Sequence, residues 1–568
     1  MNPPPHFIFS ALHLLFIFLT SSASQPELRS LLEFKKGITS DPSNLVLNSW
    51  NPFSITDFDV CPPKWEGISC DELTGNVTGI VLENHNLTGE IKFHTLLDLK
   101  MLKNLSLAGN QFYGGLSITL ENVSSLANTV RFLNVSHNKL NGNFFLKDAI
   151  GLFWNLRALD LSDNMIRGEL PSFVSFRELR VLKLTSNLFF GDVPEDLLLT
   201  SMSLEELNLN SNGFTGSIGV INSTTINILD LSSNSLSGPL PTSLRSCTII
   251  DLSRNMFSGD ISVIENWEAT MEVIDLSSNK LSGSLPSIIE YSKLSTLDLS
   301  LNELNGSIPV SLVISPSLTR LNLSGNQFTG PLLLQGSGAS ELLLTSPFLP
   351  MEYFDVSNNS LEGFLPSDIG RMVKLKLLNL ARNGFSGQIP NELSKLIDLV
   401  SLDLSNNKFT GNIPDKLSSS LNVFNVSNND LSGLVPENLR RFPTSSFNPG
   451  NEKLKLSNDS PSYPSLPSTV QNKHHSSKGN IRIAIILASV GAAVMIALVL
   501  LAYHRTQAKE FHGRSEFGGQ TTGGLSRASL FKFHSNALPP SSSASFGKSR
   551  YHFAFVVCET ATLFESEL

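Results

Sequence analysis

Cysteine is scarce, with four in 568 residues, so a disulfide framework cannot hold a chain of this length together. Charge is also sparse at 16%, yet hydrophobic residues reach 41%, and that excludes wholesale disorder. Lys and Arg number 41 against 50 Asp and Glu, a net charge of −9, which argues against nucleic acid as a general partner. Gly at 38 and Pro at 29 sit near average usage, excluding collagen and simple low complexity. Stability must come from something other than cysteine staples.

Two long apolar runs stand out. Phe7 to Leu19 reads FIFSALHLLFIFL, too short to span a bilayer. Small residues follow at Ser21, Ser22, Ala23 and Ser24, so residues 1–24 are expected to be a secretory signal, although His6 is present without Lys or Arg. Ile483 to Tyr503 is apolar and uncharged; as a helix it is about 31 Å long, enough to cross a membrane. A single transmembrane helix over 481–503 is therefore expected, and Ala484, Ala488 and Ala492 form a small-residue stripe on it suited to helix association. Lys473, Lys478 and Arg482 before the span balance Arg505, Lys509 and Arg514 after it, so flanking charge gives no orientation. Glycosylation sequons do. They begin at Asn76, Asn86, Asn104, Asn122, Asn134, Asn222, Asn305, Asn322, Asn358, Asn425 and Asn458, all before the span. They place the N-terminal region outside the cell and the tail inside.

Self-similarity dominates the region between these runs. The frame L-x-x-L-x-L-x-x-N-x-L-x-G gives LKNLSLAGNQFYG from Leu102, LRALDLSDNMIRG from Leu156 and LSTLDLSLNELNGSIP from Leu294. Fifteen units start at Val77, Leu102, Val130, Leu156, Leu179, Leu204, Ile226, Cys247, Met271, Leu294, Leu318, Met351, Leu375, Leu399 and Leu421. Leu297 and Leu299 alternate with Thr296, Asp298 and Ser300, the pattern of a short strand with one buried and one exposed face. Stacking such strands joins the leucines into one core. The recurrent Asn, as at Asn279, Asn302, Asn326, Asn383 and Asn407, must use all its donors and its acceptor if it turns inward. That predicts an asparagine ladder bonded to backbone.

These residues resemble the plant-type leucine-rich repeat of receptor-like kinases and receptor-like proteins, over about residues 25 to 440. The layout is similar to a subfamily with catalytically inactive kinase domains, which includes the guard-cell hydrogen-peroxide-resistance receptor. The resemblance implies an α/β fold: a right-handed solenoid with a concave parallel sheet and an extra short strand after each Asn turn. Two departures are visible. His85 stands where the first unit should have Asn, and 33 residues separate Asn326 from Asn359. The excess falls in LLQGSGASELLLTSPFLP from Leu333, read as a longer surface loop or a partner contact.

Residues 25–76 resemble the N-terminal cap of the family. ELRSLLEFKKGI puts Leu28, Leu31, Leu32 and Ile38 on one helical face, and CPPKWEGISC follows. Cys61 and Cys70 lie close together in the exported part, and a disulfide between them is expected. Cys247 takes a repeat Leu position and reads as a buried free thiol, and Cys558 lies in the tail. Residues 441–480 read as a remnant C-terminal cap, without the family's usual cysteine pair, and a Ser/Pro-rich stalk.

The tail, 504–568, has no H-R-D, D-F-G or strand lysine, the groups that a protein kinase requires. GGQTTGG from Gly518 is an isolated glycine-rich stretch, and the tail is expected to be disordered. No cofactor and no metal site is expected. Asp160, Asp230, Asp251, Asp275, Asp298, Asp355 and Asp403 line the sheet but come with the LDLS repeat. Ligand-binding candidates are the apolar column Ile228, Ile249 and Val273, with Arg254, Arg320 and Arg382 nearby to take carboxylates. The expected function is a plasma-membrane receptor-like protein. It binds an extracellular peptide, wall component or co-receptor ectodomain and signals through a partner receptor kinase. The alternative is a receptor-like kinase or pseudokinase whose catalytic region is missing from this chain. A wall-resident inhibitor of polygalacturonases fits the repeats but not the apolar span.

Overall fold

The computed structural model describes residues 26–54, 65–115, 126–144, 155–199, 203–268, 270–286, 292–334 and 348–456. The chain divides into two units, residues 1–473 and 474–568, and every described residue lies in the first. The leader, Cys61, the core of the long insertion (335–347), the stalk beyond 456, the span at 481–503 and the tail with Cys558 fall outside the described residues. Among the described residues no helix is long and apolar enough to cross a membrane.

Each unit contributes one short strand to a main sheet, from Val77–Val81 through Thr296–Asp298 to Val423–Asn425. The fifteen strands run parallel, and Ile68–Cys70 from the cap adds antiparallel to the first, giving 16 among the described residues. Register is one to one: Leu297 lies beside Ile274 on one side and Leu321 on the other. Consecutive repeats therefore put equivalent side chains on adjacent rungs, about 4.8 Å apart. After the turn of each repeat a second strand pairs with its neighbours; together with the cap strand Ile38–Ser40 these form one line of seven strands and another of ten among the described residues. This is the extra strand that the resemblance implies. The two lines part between Gly213–Thr215 and Ser237–Gly238. Even there, the Ser237 amide donates to the Gly216 carbonyl at 2.8 Å.

The core between the two strand lines is a column of Leu, Ile and Val capped by phenylalanines. Leu297, Leu299 and Leu304 are fully buried, as are Phe189, Phe214, Phe385 and Phe409. Successive rings stack, with centroids 6.4 Å apart for Phe189–Phe214 and 6.3 Å for Phe385–Phe409. Each such side chain contributes about 1.5–3 kcal/mol by leaving water. No unit can bury these groups alone, so the repeats are stable only as a stack.

The asparagine ladder closes the inward turns. Asn302 Nδ2 donates to the carbonyls of Leu276 (3.0 Å), Leu299 (3.1 Å) and Ser300 (3.1 Å), and its Oδ1 accepts from the Leu281 amide at 3.0 Å. Asn138, Asn164, Asn187, Asn212 and Asn407 repeat this bonding. The residue ahead of each rung is held in the left-handed region, for example Leu301 at φ 54°, a conformation poorly suited to a bulky side chain. At the start, His85 supplies no rung, and its Nδ1 sits 2.7 Å from the Glu83 carbonyl oxygen. The first rung is instead Asn110, whose Oδ1 takes the Leu87 amide.

The caps finish both ends. Helix α1 (Pro26–Lys35) buries Leu31 and Phe34, with Leu28 and Leu32 packed at the margin. Ile38 does not continue that helix as the sequence pattern suggests. It opens a strand, Ile38–Ser40, that pairs antiparallel with Thr88–Glu90. The break falls at Gly37, where a Cβ would lie 2.6 Å from the Glu90 carbonyl oxygen, so only glycine lets the chain turn from helix to edge strand. Trp50 stacks on Trp65 at 5.5 Å, and Glu27 accepts from the Val77 amide at 2.9 Å. At the far end Asn451, in the closing segment, donates to the Val426 and Phe447 carbonyls and accepts the Leu431 amide at 2.9 Å. The ladder thus runs one rung past the fifteenth repeat. This end is held by hydrogen bonds as well as by the packing expected of a cap without cysteines.

Two substitutions test this account. Asn302→Leu strands a buried amide and several carbonyls and should cost about 2–4 kcal/mol, read as a lowered thermal midpoint. Leu301→Asn keeps the ladder and relieves the left-handed strain, so it should raise stability by about 1 kcal/mol.

Candidate binding face

The first and third residues of each main-sheet strand point away from the core. Ile228, Ile249 and Val273 are direct neighbours in register, each half-buried, and form a continuous apolar column. Thr296, Arg320 and Tyr353 follow on the next rungs of the same row. The Arg320 guanidinium lies 3.8 Å from the Tyr353 ring centroid, a cation–π contact that fixes its direction. Lys376 reaches Glu352 on the neighbouring rung at 2.9 Å.

Arg254 and Arg382 do not join this row. Both occupy the left-handed position just ahead of a ladder Asn, at φ 53° and 56°, and they are five repeats apart. Only Arg320 shares the row of the isoleucines. Tyr353 was not among the residues singled out from the sequence, yet the repeat frame marks its place as the first strand residue of its unit.

The aspartates are less open than the alternating pattern suggests. Thr296, Asp298 and Ser300 are all buried, and Asp275 is 7% exposed. Equivalent side chains on adjacent rungs screen one another, so the second face of these strands is largely closed. Asp298 accepts from the Ser300 amide (2.9 Å) and hydroxyl (2.6 Å) and from Asn322 Nδ2 (2.9 Å). Asp230, Asp251, Asp275 and Asp298 occupy four successive rungs. Burial, reinforced by the charge of Asp230, pushes the Asp251 carboxyl up to about 7. Burial and both neighbouring carboxylates raise Asp275 well above the usual range, and burial lifts Asp355 to about 6. Asp251 and Asp275 each disfavour the other's charged form. Among the described residues no group of three or more His, Cys, Asp or Glu is arranged to hold a metal ion.

The sequons divide by position. Asn86, Asn222, Asn305 and Asn358 are exposed on turns or on the second strand line, whereas Asn104, Asn134, Asn322 and Asn425 are half-buried on main-sheet strands. Asn76 is half-buried beside the cap, and Asn122 and Asn458 fall outside the described residues. Cys70 is disulfide-bonded. Cys247 is a free, fully buried thiol, and burial, with a contribution from Glu268, raises its pKa to about 12.

Two measurements follow. The raised carboxyls mean that the folded chain keeps protons which the unfolded chain, titrating near 3.8, has released. Stability should therefore rise as pH falls from about 7 toward 5, and the paired Asp251→Asn and Asp275→Asn change should flatten that slope in thermal melts. Cys247 should resist iodoacetamide at pH 8 in the folded chain and react once denaturant is added.

Residues 24–71 match the leucine rich repeat N-terminal domain family. The leucine rich repeat families match seven segments from 155–176 to 420–442, and also 200–220 and 315–331. A probable inactive receptor kinase of Arabidopsis thaliana is 46% identical across 95% of this chain and 64% of its own length. An LRR receptor-like serine/threonine-protein kinase of the same plant is 43% identical over 120 residues, 21% of this chain and 11% of its own. The chain thus spans less than two thirds of either relative. Among solved structures, a TDR receptor superposes with a TM-score of 0.54 at 28% identity, covering 63% of this chain and 65% of that one. The plant peptide hormone receptor RGFR1 in complex with RGF2 gives 0.50 at 27% identity, covering 66% and 70%. The chain belongs to the leucine-rich-repeat proteins, with an N-terminal cap domain of that family followed by repeats similar to those of plant receptor kinases.

Proposed function

We propose that this chain is a single-pass plasma-membrane receptor-like protein with its N-terminus outside. Its sheet face binds an extracellular peptide, wall component or co-receptor ectodomain, and signalling passes to a partner receptor kinase. The apolar run at 483–503, the sequons confined to residues before it and the leader support the topology. A Cys61–Cys70 bridge completes the cap in this reading. No catalysis is assigned to the chain.

One observation carries the binding role: Ile228, Ile249 and Val273, each half-buried, stand in register on the face of a long parallel sheet turned away from the core, with Arg320 locked over Tyr353 two rungs further on. A stacked apolar column flanked by an oriented guanidinium suits a partner with an apolar side chain and a carboxylate. RGFR1, whose repeats this chain resembles, is a peptide hormone receptor.

A second reading rests on the relative of 64% coverage. In it, this chain is a form of a receptor-like pseudokinase from which the kinase region is missing. Transcript sequencing beyond Ser545 separates the two, because an open frame continuing into kinase-like motifs supports the second.

The topology is tested with terminal tags on the full chain in plant cells. An N-terminal tag placed after the leader should be accessible to antibody on intact cells and a C-terminal tag should not, with glycans mapped only before residue 481. Ile249→Asp should cut co-capture of partner receptor kinases at least tenfold while leaving surface expression unchanged; unaltered capture would remove this column from the binding face.

A further inference from the structure

In repeats two to five, the residue just ahead of the strand is Lys103, Arg131, Arg157 and Arg180 in turn. Backbone bonds place the four on successive rungs. The Arg131 amide donates to the Lys103 carbonyl at 2.8 Å, Arg157 to Arg131 at 2.7 Å, and Arg180 to Arg157 at 2.8 Å. A chain with a net charge of −9 thus carries an unbroken line of four cations at one edge of its sheet. Lys103, Arg131 and Arg180 are exposed and Arg157 is half-buried. Arg157 lies 3.7 Å from Glu178, and Arg180 lies 2.8 Å from Glu205, both pairs partly open to solvent. Among the described residues neither Lys103 nor Arg131 has an ion-pair partner.

Repeat packing does not require this line. The same position holds Glu205, Asn227, Thr248, Glu272 and Ser295 in the following repeats, so the fold accepts acidic and neutral side chains there. Four like charges at rung spacing repel one another; Glu178 and Glu205 offset Arg157 and Arg180, and Lys103 and Arg131 are left to take an anion laid across them.

We infer that this stripe is a docking track for a linear polyanion with one carboxylate on every unit, an acidic polysaccharide lying along the solenoid axis. The inference rests on the extracellular placement proposed above. Spacing argues against an extended acidic peptide. Cations recur about every 4.8 Å, whereas an extended peptide presents same-face side chains about every 6.8 Å and loses about 2 Å of register at each rung. A polymer acidic at every sugar ring presents carboxylates densely along its length, and a guanidinium can take one through two parallel hydrogen bonds.

The test uses the full chain, purified in detergent from plant cells with its native glycans, and immobilised polygalacturonate as the probe. Methyl-esterified polygalacturonate and poly-glutamate are parallel probes. Polygalacturonate should retain the protein, with retention falling as salt rises, and the esterified polymer should not. Lys103→Gln with Arg131→Gln should weaken binding at least tenfold with an unchanged thermal midpoint. The equal charge change Lys408→Gln with Lys416→Gln, at exposed sites far along the solenoid, should leave binding intact. The inference is overturned if the stripe variant binds like the parent chain. It is also overturned if poly-glutamate binds as tightly as polygalacturonate, which would give the stripe to acidic peptides. Polygalacturonate binding by a chain whose N-terminal tag proves intracellular would sink the receptor reading and leave the stripe standing. A surface tag with no polygalacturonate binding would do the reverse.

Discussion

Everything in this molecule depends on how a buried amide is satisfied. From the second repeat on, an inward-turning Asn brings two donor hydrogens and one acceptor into a space without water, where each unpaired group would cost a kilocalorie or more. The stack answers with backbone. Asn302 bonds carbonyls of its own turn and of the preceding repeat, while its oxygen receives the preceding repeat's Leu281 amide. Each rung therefore ties two coils at a fixed offset. That offset keeps the leucines of adjacent strands in one-to-one register and aligns the phenylalanines behind them.

Register has a second consequence on the outside. Because equivalent positions fall on adjacent rungs, any residue type that recurs in consecutive repeats becomes a line on the surface. Lys103 to Arg180 makes a basic line, Asp230 to Asp298 an acidic one, and Ile228 to Val273 an apolar one. The acidic line shows the limit of this arrangement. Asp275 and Asp298 are buried, and burial raises the carboxyls of Asp251, Asp275 and Asp298, with repulsion from neighbouring carboxylates adding to it at Asp251 and Asp275. The basic line escapes that fate. Its side chains are longer, and it sits at the edge of the strands rather than within them.

Much of the fold was legible from the residues. The period, the Leu positions and the ladder Asn follow from a pattern repeated fifteen times, where chance agreement is negligible, and the second strand from the family resemblance that this pattern carries. The start of the cap was less legible. Helical spacing alone assigns Ile38 to the helix, and only the close approach of Glu90 to Gly37 explains why the chain leaves it. Asn451 was invisible because the closing segment lacks the leucine frame, so nothing local marks its Asn as a rung. The binding candidates divided for a similar reason. The apolar column was legible because its members share one repeat position, whereas Arg254 and Arg382 belong to a turn position and were grouped with Arg320 only by residue type.

By itself the sequence determined the period, and with it the stack, the buried columns and the places where polar groups must find backbone partners. These are properties of one repeat multiplied. Tertiary structure decided which neighbours each side chain meets across rungs. Those contacts join residues twenty or more positions apart, so no local pattern encodes the closure of the aspartate face, the direction of Arg320 over Tyr353 or the last rung at Asn451.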